Sequence, residues 1–500
     1  MSLTSWPVLT ALLVAIPIVL RVIALGIVPG NRKPSSGMAW LLLIMIQPYV
    51  GLFAFSLFGR TALGRRRHGR QQRADAAIRQ AMSVPEAVPE PEPASSVAST
   101  WVDGVVRLNQ HLGALPMLAG NQLEFLPGYR ATIAAMAHEV EAAESWVHVE
   151  FYITAWDEVT DPLLGAMARA AERGVEVRLL FDHLGSRGLP SYRELLRRLG
   201  DTRIQWRAML PIRPLQRRWR RPDLRNHRKL VVVDGLVGFA GSLNLTEPGY
   251  NKPKNHRLGR EWVELMVRVE GPAVAALNAV FAGDWYAETG EIADLALPGP
   301  AQSVTPAATG SAPAGQVVAP VQVVPSGPGY PAENNLRMFN SLLYGARRRI
   351  SITSPYFVPD ESLLSAVTTA AQRGVAVELF VSEVSDQFMV GHAQASYYRA
   401  LLEAGVVIYR YPAPYVLHAK HLTIDDDVAV IGSSNMDMRS FSLNYELSLM
   451  LRGVEPVTAL RQIEDEYRRL STPLGPEEWA RRPARLRYVD NVMRLTAALQ

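Results

Sequence analysis

One pattern, His-x-Lys-x-x-x-x-Asp, occurs twice in this chain of 500 residues: His227, Lys229 and Asp234, then His418, Lys420 and Asp425. Lysine is scarce enough to make the repetition informative. Only Lys33, Lys229, Lys252, Lys254 and Lys420 occur, and arginine supplies the rest of the 52 basic residues. Each pattern reads as lying on a strand that its aspartate closes. Two residues apart on a strand, the imidazole and the ammonium point to the same face and can meet one substrate group. The closing aspartates are less specific. Asp234-Gly235 is a hairpin-turn signal in its own right, and both Asp234 and Asp425 end strands where turns are expected.

The surroundings of the two patterns also repeat. AERGVEVRLLF and AQRGVAVELFV lie 200 positions apart, each with a helix before its glycine and an apolar strand after it. Upstream strands are expected at Trp146–Ile153 and Ile350–Phe357. Alternating strands and helices predict an α/β fold, with a mixed sheet flanked by helices in each of two related lobes. Two Pro-rich stretches without periodicity, 83–100 and 297–331, read as a tether and an interlobe linker. The predicted organisation is a membrane hairpin at 1–60, a basic and Pro-rich tether at 61–100, a first lobe at 101–296, a linker at 297–331 and a second lobe at 332–500.

The hairpin rests on two apolar stretches. Ser2 to Leu20 lacks charge, and the apolar character continues past Arg21 to Val28; Met38 to Phe58 is uncharged as well. Each is long enough to cross ~30 Å of hydrocarbon, so two transmembrane helices are expected, with Arg21 reaching toward the headgroups. Arg60, Arg65, Arg66, Arg67, Arg70 and Arg73 follow the second stretch, against Arg32 and Lys33 in the turn. The positive-inside rule then places the lobes on the cytoplasmic side. A cleaved signal peptide fits less well, because the run is long and no basic residue precedes it. Cysteine is absent, which excludes disulfides, thiolate metal sites and a cysteine nucleophile.

Small-residue turns follow both patterns: Gly241-Ser242-Leu243-Asn244 and Gly432-Ser433-Ser434-Asn435. Ser242, Asn244, Ser433 and Asn435 are candidate donors to a phosphate oxygen. Glu264 and Glu446 stand in similar downstream strands and are candidates to orient the histidines through their second nitrogen. Two His, two Lys and two Asn suit a phosphoryl-type displacement. One imidazole attacks phosphorus, the other protonates the leaving oxygen, and the cations hold the transition state. No metal ligand set has recognisable spacing, and Asp425-Asp426-Asp427 reads as a turn. The net charge of +5 favours anionic partners. The stretch from Arg213 to Arg228, with Trp219 among its arginines, suits docking on acidic headgroups.

The paired motifs with their G-S-x-N turns resemble the phospholipase D superfamily, over about residues 120–470. Within it the chain looks like the bacterial cardiolipin synthases, through NRKPSSGMAWLLLIMIQPYVGLFAFSLFGR, VEGPAVAALNAVFAGDWY and the pairing of FYITAWD with RGVEVRLLFDHLGS. The resemblance implies two phospholipase D-like lobes related by a pseudo-twofold, sharing one site. It implies transfer of a phosphatidyl group between two phosphatidylglycerol molecules through a phosphohistidine, without a cofactor. His227 would be the nucleophile and His418 the general acid. The implied partners are phosphatidylglycerol and anionic membrane lipid, with the enzyme embedded in the bacterial cell membrane and no nucleic acid expected. Two other readings are a tethered phosphodiesterase acting on lipid or nucleic acid, which would use water as acceptor, and a non-catalytic scaffold, which the intactness of both triplets disfavours.

Overall fold

A computed structural model describes residues 5–30, 34–59, 65–82, 98–212, 221–293, 317–331 and 333–496. Arg32, Lys33, Arg60, Arg213, Arg217, Arg218, Trp219 and Arg220, together with most of the two Pro-rich stretches, lie outside the described residues. The chain divides into two units, Met1–Ala62 and Leu63–Gln500.

The first unit holds helices α1 (Ser5–Ile27), α2 (Pro34–Ile46) and α3 (Pro48–Phe58). The single second span expected over Met38–Phe58 is therefore broken. Gln47 adopts extended backbone (φ −136°, ψ 91°) and Pro48 opens α3, because proline has no N–H to continue the ladder and disfavours helix at the residue before it. α2 and α3 then fold back on each other. A Cβ on Gly51 would lie 2.7 Å from the Ile44 backbone, and the Trp40 and Phe55 rings meet edge to face at 5.5 Å. Ala24 of α1 and Val28 just after it complete this small core. Arg21 does not reach outward: its Nε donates to the carbonyl of Met45 (3.0 Å), beside the break that leaves carbonyls of α2 without helical donors. At 1.5 Å per residue, the 13 residues of α2 and 11 of α3 extend about 20 Å and 17 Å, short of ~30 Å. Among the described residues, no helix is both long and apolar enough to cross a membrane.

The second unit is built on a single 16-stranded mixed sheet. From one edge the order is Thr472–Pro473, Val407–Tyr411, Ala376–Ser382, Arg349–Thr353, His421–Ile424, Val428–Gly432, Asn444–Arg452 and Val317–Ser326. It continues through Met117–Leu126, Met266–Glu270, Val237–Gly241, Leu230–Val233, Trp146–Phe151, Glu176–Asp182 and Gln205–Met209, and the sixteenth strand, Arg225–Asn226, pairs with Asn444–Arg452 off this path. Read outward from the junction of Val317–Ser326 with Met117–Leu126, the two halves have the same connectivity, so the repeat detected in sequence is a pseudo-twofold in space. Parallel pairs form where a helix crosses over, as between Trp146–Phe151 and Glu176–Asp182. Antiparallel pairs form at hairpins such as Leu230–Val233 with Val237–Gly241.

Three expected boundaries shift. Val317–Ser326, inside the stretch read as a linker, is a central strand of the sheet. Its Pro320 stands opposite an irregularity between Leu118 and Asn121 in the neighbouring strand, where ladder bonding is already interrupted. Arg65–Met82 (α4), read as part of a tether, is a helix packed on Ala273–Thr289. Its Arg67 is buried and pairs with Glu288 and with the Tyr445 hydroxyl. Ala98–His111 (α5) lies against Asn334–Gly345 of the second lobe, and its Val102 and Val105 join that lobe's core. A further core, containing Leu123, Val267, Val321 and Leu449, runs beneath both halves of the sheet and joins them.

Candidate active site

Each histidine is anchored to the lobe that does not carry it. Arg225–Asn226, just before His227, pairs in parallel with Asn444–Tyr445, and the His227 amide donates to the Tyr445 carbonyl (2.8 Å). Val416–Leu417, just before His418, pairs with Trp262–Val263, and the His418 amide donates to the Val263 carbonyl (2.8 Å). The residues following those two carbonyls are Glu446 and Glu264. The carboxylates are thereby crossed. Glu446 lies 3.0 Å from Nδ1 of His227, and Glu264 lies 2.7 Å from Nδ1 of His418. In each imidazole Nε2 is left for chemistry.

The serines expected to meet a phosphate instead hold these glutamates. Ser242 Oγ donates to Glu264 (2.6 Å) and accepts from the Leu265 amide (2.9 Å). Ser433 Oγ donates to Glu446 (2.5 Å) and accepts from the Leu447 amide (2.9 Å). A hydroxyl has one proton, and here it is spent on the carboxylate. Asn244 and Asn435 are both buried, each with an amide oxygen without a partner, and the Asn435 side chain hydrogen-bonds Asp437. Asn244 donates through Nδ2 to the Tyr250 hydroxyl (2.7 Å). A half-turn of that amide would let its oxygen accept from Tyr250 and aim the NH₂ at a phosphate oxygen.

Lys229 and Lys420 are both buried and each donates to its own histidine carbonyl, at 2.6 Å and 2.5 Å. Two protons of each ammonium stay unspent in these bonds. Asp234 and Asp425 are elsewhere. Asp234 accepts from the amides of Glu144, Ser145 and Trp146 (2.8, 2.9 and 2.7 Å). Asp425 accepts from those of Arg347, Arg348 and Arg349 (2.9, 2.7 and 2.9 Å). Both take left-handed backbone, φ 50° and 47°. Each carboxylate is thus taken up by backbone amides and ties the end of a motif strand to the start of strand Trp146–Phe151 or Arg349–Thr353. Asp426 pairs with Arg348 and Arg461, and among the described residues no cluster of three metal-ligating side chains forms.

Burial and charge divide the two histidine–glutamate pairs. Burial, reinforced by Lys229 and Lys420, lowers His227 to about 4 against the opposing pull of Glu446. Burial, Lys420, Lys229 and His227 lower His418 as well. Glu446 is held below its ordinary value: burial would raise it, but His227, Lys229 and Ser433 together outweigh that. Glu264 is raised to about 7 by burial, which Lys420 and Ser242 only partly offset. One pair therefore presents an ionised carboxylate at neutral pH and the other a carboxyl near its titration point.

Aromatic side chains wall the site. The Tyr152 ring meets His227 at 5.0 Å and Tyr356 meets His418 at 6.2 Å, both edge to face. Sequence reasoning passed over these tyrosines, although FYITAWD and SPYFVPD place each just beyond strand Trp146–Phe151 or Arg349–Thr353. Asp182 was missed too. It accepts from Leu184, Gly185 and Asn226 amides and from Arg225, and so fixes the approach to His227.

A family described as "Cardiolipin synthase, PLD-like domain" matches residues 136–285 and 340–470. Cardiolipin synthase A of Edwardsiella ictaluri is 33% identical over 476 residues, covering 94% of this chain and 94% of that protein. Its counterpart from Yersinia pseudotuberculosis is 34% identical over 467 residues, covering 92% of each. Among solved structures, the phosphatidylserine synthase of Haemophilus influenzae superposes with a TM-score of 0.57 at 15% identity, over 79% of this chain and 99% of that one, which is a likeness of fold.

Proposed function

This chain belongs to the cardiolipin synthases with a phospholipase D-like domain, and from that premise we propose that its crossed histidine–glutamate pairs carry a phosphatidyl group from one phosphatidylglycerol to another. The assignment of roles rests on the unlike surroundings of the two carboxylates: His227, Lys229 and Ser433 hold Glu446 below its ordinary value, whereas burial raises Glu264. An ionised Glu446 accepts the Nδ1 proton of His227, leaving the Nε2 lone pair free to attack. Glu264 and His418 share a proton near neutrality, as a general acid requires.

In the first half-reaction Nε2 of His227 attacks phosphorus, the bond from phosphorus to the glycerol oxygen breaks, and that oxygen takes its proton from His418. Lys229 and Lys420, with the amides of Asn244 and Asn435, neutralise the charge gathering on the equatorial oxygens. In the second half the primary hydroxyl of another phosphatidylglycerol gives its proton to His418 and attacks phosphorus. The P–N bond breaks, cardiolipin leaves and His227 is restored. Each ring nitrogen returns to its starting state, so the cycle consumes no cofactor.

Membrane attachment through the first unit is part of the proposal. Ile18, Val19, Val22, Leu42, Ile46, Tyr49, Val50 and Phe53 are exposed on it, a lipid-facing composition. The Arg21–Met45 bond supplies a side-chain donor to a backbone carbonyl where the helix breaks, as irregular backbone at membrane depth needs. We place the unit in the bacterial cell membrane with the lobes on its cytoplasmic face, where the arginines following Phe58 favour it.

Mass spectrometry of lipids after incubating the detergent-purified enzyme with phosphatidylglycerol alone tests the reading. Cardiolipin and free glycerol are expected, and neither from His227→Ala nor His418→Ala. Phosphatidic acid without cardiolipin would make water the acceptor and the protein a hydrolase.

A further inference from the structure

The second half of the site carries a charged group that its counterpart in the first lobe lacks. Asp386 lies in the segment between strand Ala376–Ser382 and helix Phe388–Glu403, half-buried, and accepts the Tyr356 hydroxyl at 3.0 and 3.1 Å. The Gln387 amide donates to that same hydroxyl (3.0 Å), and the Tyr356 ring is the one against His418. Burial, then Asp386, raises the Tyr356 phenol, so it stays protonated and donates. Lys252 and Arg260 act on Asp386 electrostatically, and Asp386 acts in turn on Lys420 and Tyr250. Among the described residues no ion pair holds it. In the first lobe, 200 positions earlier in the repeat, stands Ser186, whose hydroxyl accepts the Thr154 amide (3.0 Å).

A carboxylate without an ion pair beside a site for an anionic phosphodiester needs a reason, because it repels the substrate's own charge. It has spare acceptor sites and no protons. The matching partner is a group rich in O–H donors, and a glycerol headgroup carries a hydroxyl vicinal to the reacting one. In-line displacement at phosphorus puts both the leaving and the attacking glycerol opposite His227, on the His418 side, where this carboxylate lies.

We propose that Asp386 is a specificity-determining residue that accepts the vicinal hydroxyl of the glycerol group, selecting diol over simple alcohol in both half-reactions. The proposal rests on the phosphatidyl-transfer reading and on His227 being the nucleophile. It makes the pseudo-twofold site unequal by design: the second lobe reads the alcohol, while the first holds the phosphorus.

The test offers full-length enzyme phosphatidylglycerol as donor with equal concentrations of 1,2-propanediol and 1-propanol, which differ by the vicinal hydroxyl. The ratio of phosphatidylpropanediol to phosphatidylpropanol, read by mass spectrometry, reports the choice of acceptor from a common intermediate, whatever the rate of its formation. Wild type should favour the diol, and Asp386→Asn should lower the ratio about tenfold or more, the worth of a hydrogen bond to a charged acceptor. Tyr356→Phe, which leaves the carboxylate in place, should keep the preference. An unchanged ratio in Asp386→Asn, including an equal fall in both products, would overturn the proposal, as would a wild type indifferent to the two alcohols. If Asp386→Asn yields no product, Asp386→Glu decides: it keeps the acceptor, so a ratio near one would overturn the idea. Failure of wild type to make cardiolipin while still preferring the diol would overturn the functional reading and leave this one standing.

Discussion

Glu446→Gln separates the electrostatic role of the crossed carboxylate from its packing. Glutamine has nearly the same shape and can still reach Ser433, so the backbone of strand Asn444–Arg452 should be undisturbed. What disappears is a negative charge 3.0 Å from Nδ1 of His227. When Nε2 bonds to phosphorus the ring becomes cationic, and that charge is stabilised by Glu446 only in the transition state and intermediate. At an effective dielectric of about 20, a unit charge pair at about 4 Å interacts by about 4 kcal/mol. At about 1.4 kcal/mol per decade this is about a thousandfold in the rate of phosphohistidine formation. The assay is rapid-quench trapping of labelled phosphatidyl on the protein, with thermal unfolding as a control for stability. Glu264→Gln provides the internal contrast. Because Glu264 titrates at about 7, little charge is lost at pH 6 and much more at pH 8, so its penalty should grow with pH while that of Glu446→Gln stays nearly constant across the same range. A loss below tenfold in Glu446→Gln, or a heavier penalty at pH 6 in Glu264→Gln, would refute the reasoning and exchange the roles of the histidines.

Three more outcomes are expected. Burial lowers Lys420 to about 8, so a fall in rate is expected as pH rises through that value and the ammonium is lost, beyond the fall near 7 that the Glu264–His418 proton sets; Lys420→Arg should remove the step near 8 and leave the one near 7, and a rate–pH profile checks it. Asp425→Asn gives up one charged acceptor for three amides but tolerates left-handed backbone. It should cost about 1–3 kcal/mol in denaturant unfolding with kcat within about threefold of wild type, and a much larger kcat loss at unchanged stability would return Asp425 to the catalytic set. The chain lacks cysteine, so Ser36→Cys and Gly59→Cys can be labelled singly in sealed vesicles. A folded-back α2–α3 puts both on one face, and reagent access from opposite faces would mean a full span.

What was legible in the sequence was whatever depends on spacing along one strand. The two triplets, the lobe repeat and the candidacy of Glu264 and Glu446 all follow from alternation and repetition. The crossing of the carboxylates was not legible, because it depends on Arg225–Asn226 finding Asn444–Tyr445, a pairing between segments far apart in the chain. The serines illustrate the same limit. Their spacing from the histidines suits a phosphate, yet each glutamate lies closer in space and takes the hydroxyl proton. Composition misled in two places. Proline and alanine hid the central strand Val317–Ser326, and the arginine run after residue 60 hid a helix whose Arg67 is buried on Glu288. The break at Gln47-Pro48 was readable from proline alone, but the uniform hydrophobicity around it outweighed the signal.

The crossing has a mechanistic consequence. A single lobe carries a histidine, a lysine and an asparagine but not the carboxylate that sets the histidine's tautomer, so neither half is a working site alone. The bonds that hold the lobes together are also those that position the imidazoles: the amides of His227 and His418 donate to carbonyls of the opposite lobe, and the glutamates follow those carbonyls directly. Arg228 strengthens one of these seams. Buried between the lobes, it pairs with Asp284 and donates to the carbonyls of Glu446 and Ser326. A slip of one lobe against the other by an ångström would therefore lengthen both histidine–glutamate bonds together, and such bonds weaken steeply with distance and angle. The shared core beneath the continuous sheet opposes that slip. In this architecture interlobe packing and acid–base chemistry are one constraint, which explains why the polar groups of the site are buried where their desolvation is costly.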